Sequence, residues 1–403
     1  MALDLTSFSA ALKQHYTSDR VENMVYKDNP LLAMLPKYEQ FGGENLPVPI
    51  IHGNPQGRSA TFSDAQANKT NSQLKKFVLT RARDYSIASI DNETIEASKG
   101  NANAFLEAAT VEIDGTIQSA TRSLAVSLYR SGSGSIGRLS STQNLALSVI
   151  TLSNPDDVTN FEVGMTLNLD DADGGGSVKA GDLVVTAVDR DAGTVTVDSA
   201  INVGVLTAAA SDYIFVEGDY DKKVKGLLAW LPSSAPTSGD NFFSVDRSVD
   251  ATRLGGIRFD GSALPIEEAL ISAAARVARE GGAPDYCFMN YTKFSDLEKA
   301  LGSKVQYVDV KANAEIGFRG IVINGPKGPI KVIPDQNCPS DRAFMIQMNT
   351  WKLYSLGKAP KILDTDGMKM LRDSNADSVE VRVGYYAQLG CRAPGWNCNI
   401  KLD

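Results

Sequence analysis

The spacing of apolar residues changes along the chain, and each change predicts a different element. From 101 to 130, Phe105, Leu106, Ala109, Ile113, Ile117, Ala120, Leu124 and Leu128 recur at three- and four-residue steps and form one helical stripe. About thirty residues at the α-helical rise predict a rod of roughly 45 Å. The run RSGSGSIG, Arg130 to Gly137, stops the helix, because glycine and serine favour turns.

Before that helix, residues 46–92 read as a long hairpin. LPVPIIHG, starting at Leu46, is a proline-limited edge strand, and Leu74 to Ile90 is rich in β-formers with partial alternation. The tract between them, Asn54 to Gln73, is polar and nearly free of large apolar residues. A loop of that length inside a compact domain points to function or mobility. Residues 1–45 carry Pro30, Pro36, Gly42 and Gly43, with Pro47 just beyond, which forbids a long regular element. They read as an extended arm with one short helix, whose Leu31, Leu32, Met34 and Leu35 need a covering surface, on a neighbour or on the chain's own core.

After the helix the pattern changes again. Between 142 and 219, short β-rich runs (LALSVITL, MTLNL, LVVTAV, TVTV, YIFV) alternate with turn signals such as NPDD, DADGGGS and DRDAG. This spacing predicts a small inserted β-sandwich or barrel. From 220 to 365, helix and strand alternate. The segment Pro265 to Gly282 has proline at its start, early acids, late arginines and closing glycines, which together predict a helix. DYCFM is a short strand, Asn290 a candidate cap for the next helix, and two further β-rich segments follow. The closing runs VEVRVGYYAQLGC and NCNIKL are strand-like and free to pack on the long helix.

Composition then narrows the function. With 403 residues, the chain can build two or three domains, and 43% hydrophobic residues make wholesale disorder untenable. No apolar run approaches the roughly 20 residues that span a bilayer, and the N-terminal sequence lacks the pattern of a signal peptide. A cytoplasmic site of synthesis is expected, with Cys287, Cys338, Cys391 and Cys398 as free thiols. The net charge of −8 argues against a general nucleic-acid binder. The charge is uneven: thirteen acids face two bases between Thr142 and Asp219, whereas six bases face two acids between Gly53 and Asp84. That asymmetry suits either solvated faces or the steering of one subunit onto another.

Candidate chemistry is sparse. The histidines are His15 and His52, both in the arm or hairpin and away from the expected core, so no His-based triad or metal site is expected. There is no phosphate-binding loop, dinucleotide fingerprint or nucleophile elbow. Asp171 to Asp182 places acids and a glycine as a calcium loop would, but Gly175 and Lys179 stand at ligand positions and no helices flank it. It reads as a glycine-rich turn. No catalytic residue, metal or cofactor is assigned.

The order of parts resembles the major capsid protein of tailed double-stranded DNA bacteriophages, the Hong Kong 97 or Johnson fold. The segments LYRSGSGSIG and GLLAWLP look like one family segment split by the insertion. EEALISAAARVAREGGAPDYCFMNYTKFSDLEKAL and FRGIVINGPKGPIKVIPDQNCPSDRAFMIQMNTWKLYSL resemble the axial-domain run and its closing strands. The resemblance implies an α+β fold: arm at 1–45, extended loop at 46–92, peripheral domain with spine helix at 93–133, inserted β domain at 142–219, axial domain at 220–365, and a return to the peripheral domain at 366–403. It also implies self-assembly into hexamers and pentamers, a virion built in a bacterial cytoplasm, packaged DNA held without sequence specificity, a separate scaffold protein or none, and portal and decoration proteins as possible partners. Leu31, Leu32, Met34, Leu35, Arg58, Lys69, Lys75 and Lys76 are the candidate inter-subunit contacts. Some relatives crosslink a loop lysine to a neighbour's asparagine, and Lys69, Lys75, Lys76, Asn397 and Asn399 are of the right types without a motif that fixes a pair. An encapsulin-like compartment on the same fold and a β-rich adhesin are the alternatives.

Overall fold

The computed structural model describes residues 24–92, 102–202, 204, 206–302, 307–311, 317–364, 371–373 and 376–402. The start of the arm with His15, and the side chains of Phe105, Leu106 and Ala109, lie outside the described residues.

One seven-stranded mixed sheet runs in the order Ile257–Asp260, Cys398–Lys401, Arg342–Ile346, Tyr286–Met289, Gly328–Pro334, Gly317–Gly325, Tyr307–Lys311. Its first pair and its Tyr286–Met289 to Gly328–Pro334 pair are parallel, and the others antiparallel. Cys287, Phe288 and Met289 are all buried, because both faces of this sheet are covered. On one face the helix Ile266–Arg279 lays down Ala269, Leu270, Ala273, Ala274 and Val277. Asn290 caps the following helix, Tyr291–Leu301, by accepting from the Thr292 N–H at 3.0 Å. On the other face Phe288, Ile333, Phe344 and Ile346 join the larger core, where Phe344 meets Tyr129 with ring centroids 6.0 Å apart.

A second sheet is organised by the fourteen-residue strand Ser378–Cys391. Along one edge it pairs with Ala82–Asp91, from Ser378↔Asp91 to Ala387↔Ala82. Along the other it pairs in succession with Trp351–Ser355, Lys361–Ile362 and Leu371–Arg372. The spine helix, Ala102–Ser127, lies on this sheet with Ile113, Ile117, Ala120 and Leu124 buried.

Two boundaries read from the sequence need correction. Trp351–Ser355 falls within 220–365 yet belongs to the peripheral sheet, where Trp351 and Leu353 are buried. Cys398–Lys401 falls within 366–403 yet belongs to the axial sheet, where Cys398 and Ile400 close the core under the helix Ile266–Arg279. Strands that cross between sheets carry no local mark of their destination, so a division by chain order misplaces them.

Between the spine helix and the axial strands the chain inserts a third body. Its six antiparallel strands follow the order Ser135–Arg138, Tyr213–Val216, Thr166–Asp170, Leu183–Asp189, Thr194–Val197, Val149–Thr151. The first and last strands meet through the Leu139↔Leu152 bridge, with Ser140 N–H donating to Thr151 O at 2.9 Å and Ser153 N–H to Arg138 O at 2.8 Å. Closure leaves no free edge. Leu139, Ile150, Phe161, Leu167, Leu169 and Ile214 belong to a core of its own. The first strand begins at Ser135, inside the run read as a helix stop.

The ends of this body lie side by side. Gly226 N–H donates to Arg130 O at 3.1 Å and Leu227 N–H to Leu128 O at 2.7 Å, so the chain returns where it left. A Cβ at Gly226 would stand 2.2 Å from the Ser127 carbonyl oxygen, and only glycine permits this approach.

Candidate assembly interface

The strands Asn45–Gly53 and Gln73–Thr80 pair antiparallel in a sheet of their own, a hairpin with the short helix Phe62–Ala67 near its tip. The polar tract is therefore not wholly irregular, and the β-rich run read as continuous from Leu74 to Ile90 breaks at Arg81. Arg81 anchors that break: its Nη1 donates to Phe41 O at 2.6 Å and Gly43 O at 2.5 Å.

Alternation divides the hairpin into two faces. Val48 and Ile50, with Phe77 and Leu79, point into the core. At the root, Trp230 packs against Phe77 at 4.9 Å, Phe242 at 5.0 Å and Phe243 at 5.7 Å between ring centroids. Phe243 and Ser244 form the tight turn between the strands Asn241–Phe242 and Val245–Asp246, with φ of 46° and 65°. A phenylalanine in this left-handed region is strained, and here its carbonyl accepts from Val78 N–H at 3.0 Å. Arg247 closes the root, donating to Ala229 O at 2.6 Å and pairing with Asp240 at 2.9 Å.

Beyond the root the hairpin is bare. Ile51 and Leu74 face each other in register on the outer face, 63% and 61% exposed, and Phe62 on the tip helix is 82% exposed. Arg58, Lys69, Lys75 and Lys76 are exposed around them, with Asp64 the one acid between residues 53 and 80. The structure thus joins the four predicted basic contacts to an apolar strip that the sequence reading passed over. Its signal was available: once Val48 and Ile50 point inward, Ile51 must point outward.

The other predicted contacts do not stand. Leu31, Leu32 and Leu35 are buried in the chain's own core, and Met34 packs against it half-buried. The segment is held by Asp335, a buried carboxylate that accepts from Leu31 N–H at 3.3 Å, Tyr129 O–H at 2.8 Å and Asn337 N–H at 2.9 Å. Burial raises the Asp335 pKa against these bonds. Asn397 and Asn399 are also buried and bonded internally, Asn397 accepting from Trp351 Nε1 and Asn399 donating to Leu231 O. Neither is presented to a neighbour's lysine.

A charged knot ties the hairpin's outgoing strand to the spine. Lys223 Nζ lies 2.6 Å from Asp84, 2.9 Å from Asp219 and 2.9 Å from Ser123 Oγ. Tyr385 O–H also donates to Asp84, at 3.2 Å. Burial raises the Asp219 pKa, with Lys223 opposing it.

The remaining candidate chemistry is absorbed by the fold. All four cysteines are buried free thiols, and burial pushes Cys287 and Cys391 up to about 12. His52, expected away from any core, is buried at the hairpin, where its carbonyl accepts from Arg253 at 2.6 Å. In the calcium-like stretch, Asp173 accepts from Ser131, Ser133 and Ser135, and Gly175 N–H donates to Asp221 at 2.8 Å. Among the described residues no group of three or more His, Cys, Asp or Glu is placed to hold a metal ion.

Comparison with known proteins agrees with this architecture. Residues 200–371 match the family model of the SU10 major capsid protein. No curated protein matches the sequence. Among solved structures, a chain of the cyanophage A-1(L) capsid asymmetric unit aligns with a TM-score of 0.51 at 11% identity, covering 93% of this chain and 92% of that one. A chain from the capsid of a native GTA particle aligns with a TM-score of 0.47 at 9% identity, covering 92% and 89%, and at that score adds nothing to the argument. The cyanophage likeness shows a phage capsid fold, and residues 200–371, somewhat under half of the chain, are similar to the SU10 major capsid protein.

Proposed function

We propose that this subunit assembles into hexamers and pentamers of an icosahedral head that encloses double-stranded DNA, with the extended hairpin as the clasp between subunits. The bare outer hairpin carries this reading. A two-stranded hairpin is marginal in water, and an exposed Ile51–Leu74 pair beside an exposed Phe62 needs a partner surface. The cations at Arg58, Lys69, Lys75 and Lys76 suit a neighbour's acidic face, and the inserted barrel offers one through its exposed acids Asp171, Asp182, Asp189, Asp191 and Asp198. Many such weak contacts per subunit sum through multivalency.

The subunit acts without catalysis in this reading, which rests on the likeness of residues 200–371 to a structural capsid protein. Assembly in the host cytoplasm, a separate scaffold, a portal and decoration proteins complete the proposal. The match to a phage major capsid protein favours a DNA-filled head over an encapsulin-like compartment. Assembly of purified Ile51→Ser/Leu74→Ser subunits, followed by sedimentation and electron microscopy, tests the clasp. The expected result is folded subunits that fail to form shells, and normal shells would refute it.

A further inference from the structure

The edge of the seven-stranded sheet gathers cations that the proposed clasp leaves unused. The edge strand Ile257–Asp260 runs parallel to Cys398–Lys401, with Arg258 beside Asn399 and Asp260 beside Lys401. Arg342, on the next strand, is paired in register with Lys401. Arg276 arrives from the last turn of the helix Ile266–Arg279 and holds its guanidinium 4.7 Å from the Phe259 ring centroid. Together with Ser233 and Asn399 these residues line a cleft of about 340 Å³.

Their charges do not balance. Arg342 is paired with Asp341 and donates to Ser233 Oγ at 2.6 Å, while Lys401 lies 3.7 Å from exposed Asp260. Arg258 reaches only neutral groups, the carbonyls of Ala251 and Gly255 at 3.3 to 3.4 Å. Among the described residues neither Arg258 nor Arg276 has a carboxylate partner. Four cations therefore meet two carboxylates, an excess of two in a chain whose net charge is −8. Burial pulls the Arg258 pKa down, and the opposing contribution comes from the Cys398 thiol instead of an acid. A partly buried, unneutralised guanidinium is costly, and an anion relieves that cost.

We infer that this cleft binds a phosphate group, held by Arg258 and Arg276 with Lys401 and Ser233 at its margin. Guanidinium forks match phosphate oxygens in a bidentate way. The double charge excess fits a dianion better than the single carboxylate of a second copy of the chain. The phosphate can come from a free small anion or from a nucleic-acid backbone. The site does not depend on the clasp reading, because it stands on a different sheet edge.

Calorimetric titration of the full chain tests this, with inorganic phosphate in one arm and a short DNA duplex in another, at ionic strength held constant with sodium chloride. Saturable binding is expected in at least one arm. Arg276 is exposed, so Arg276→Gln should fold normally and weaken that binding by about tenfold, the scale of one charge-assisted hydrogen bond. Lys299→Gln, on the helix Tyr291–Leu301, should leave it unchanged. Phosphate binding without duplex binding identifies a small-anion site, and duplex binding sensitive to Arg276→Gln identifies a backbone contact. No binding beyond that of chloride, or equal binding by wild type and Arg276→Gln, would overturn the inference. A neighbour's carboxylate filling the cleft in assembled particles would do so too.

Discussion

The seven-stranded sheet and the extended hairpin use the same alternation of apolar and polar residues, with opposite outcomes. In the sheet both faces are covered within the chain, by the helix Ile266–Arg279 on one side and by Tyr129 and its neighbours on the other. In the hairpin only the root is covered, and the outer half leaves Ile51, Phe62 and Leu74 in solvent. The difference separates what one chain completes by itself from what it leaves for another copy. Substitutions on the completed side should act on folding, and those on the bare side on association.

The largest effect should come from the root, where the two regimes meet. Trp230→Ala removes a fully buried ring from contact with Phe77, Phe242, Phe243 and Trp351. It should cost about 3–5 kcal/mol in urea unfolding of the subunit and abolish assembly as a consequence. Lys223→Met leaves the half-buried Asp84 and Asp219 without their cation, and a smaller loss of about 1.5–3 kcal/mol is expected by the same measurement. If Trp230→Ala unfolded like wild type, the root would not be part of the subunit's own fold, and the same result for Lys223→Met would remove the charged knot from it.

Asp335 sharpens the comparison through pH. Burial holds its folded pKa above the ordinary value of 3.8, so its contribution to stability is fully present below that value and is lost as pH rises through the raised one. Asp335→Asn removes this titration. Its deficit relative to wild type should be greatest in acid and shrink toward neutral pH in denaturation curves. A deficit that grows with pH would mean that the hydrogen bonds from Leu31, Tyr129 and Asn337 outweigh burial.

On the bare side the effects on folding should be small. Ile51→Ser/Leu74→Ser should change subunit stability by no more than about 0.5 kcal/mol while preventing shells from forming. Lys75→Gln/Lys76→Gln should change stability least of all and slow assembly, most visibly at low salt, as measured by light scattering.

Much of this division was legible in the sequence. The spine stripe from Ile113 to Leu124, the helix signals around Glu267 and Arg279, the Asn290 cap and the turn-punctuated β insertion all rest on local rules, and local rules are readable. Two kinds of feature were not. Trp351–Ser355 and Cys398–Lys401 exchange sheets through long-range pairing that leaves no local trace. Leu31, Leu32 and Leu35 looked like sticky contacts because nothing nearby in sequence predicts Asp335, some three hundred residues away, as their anchor. At the interface, the basic residues were visible as composition, whereas Ile51 and Leu74 required the phase of the hairpin to be known.

The central claim is that the outer hairpin is completed by a second subunit. A side-chain-resolution cryo-electron microscopy map of assembled particles tests it most directly. The account predicts closed shells in which Ile51, Phe62 and Leu74 are buried against a neighbouring copy. Shells in which that strip lies in solvent or folds back on its own chain would contradict it, as would a chain that stays monomeric under every assembly condition.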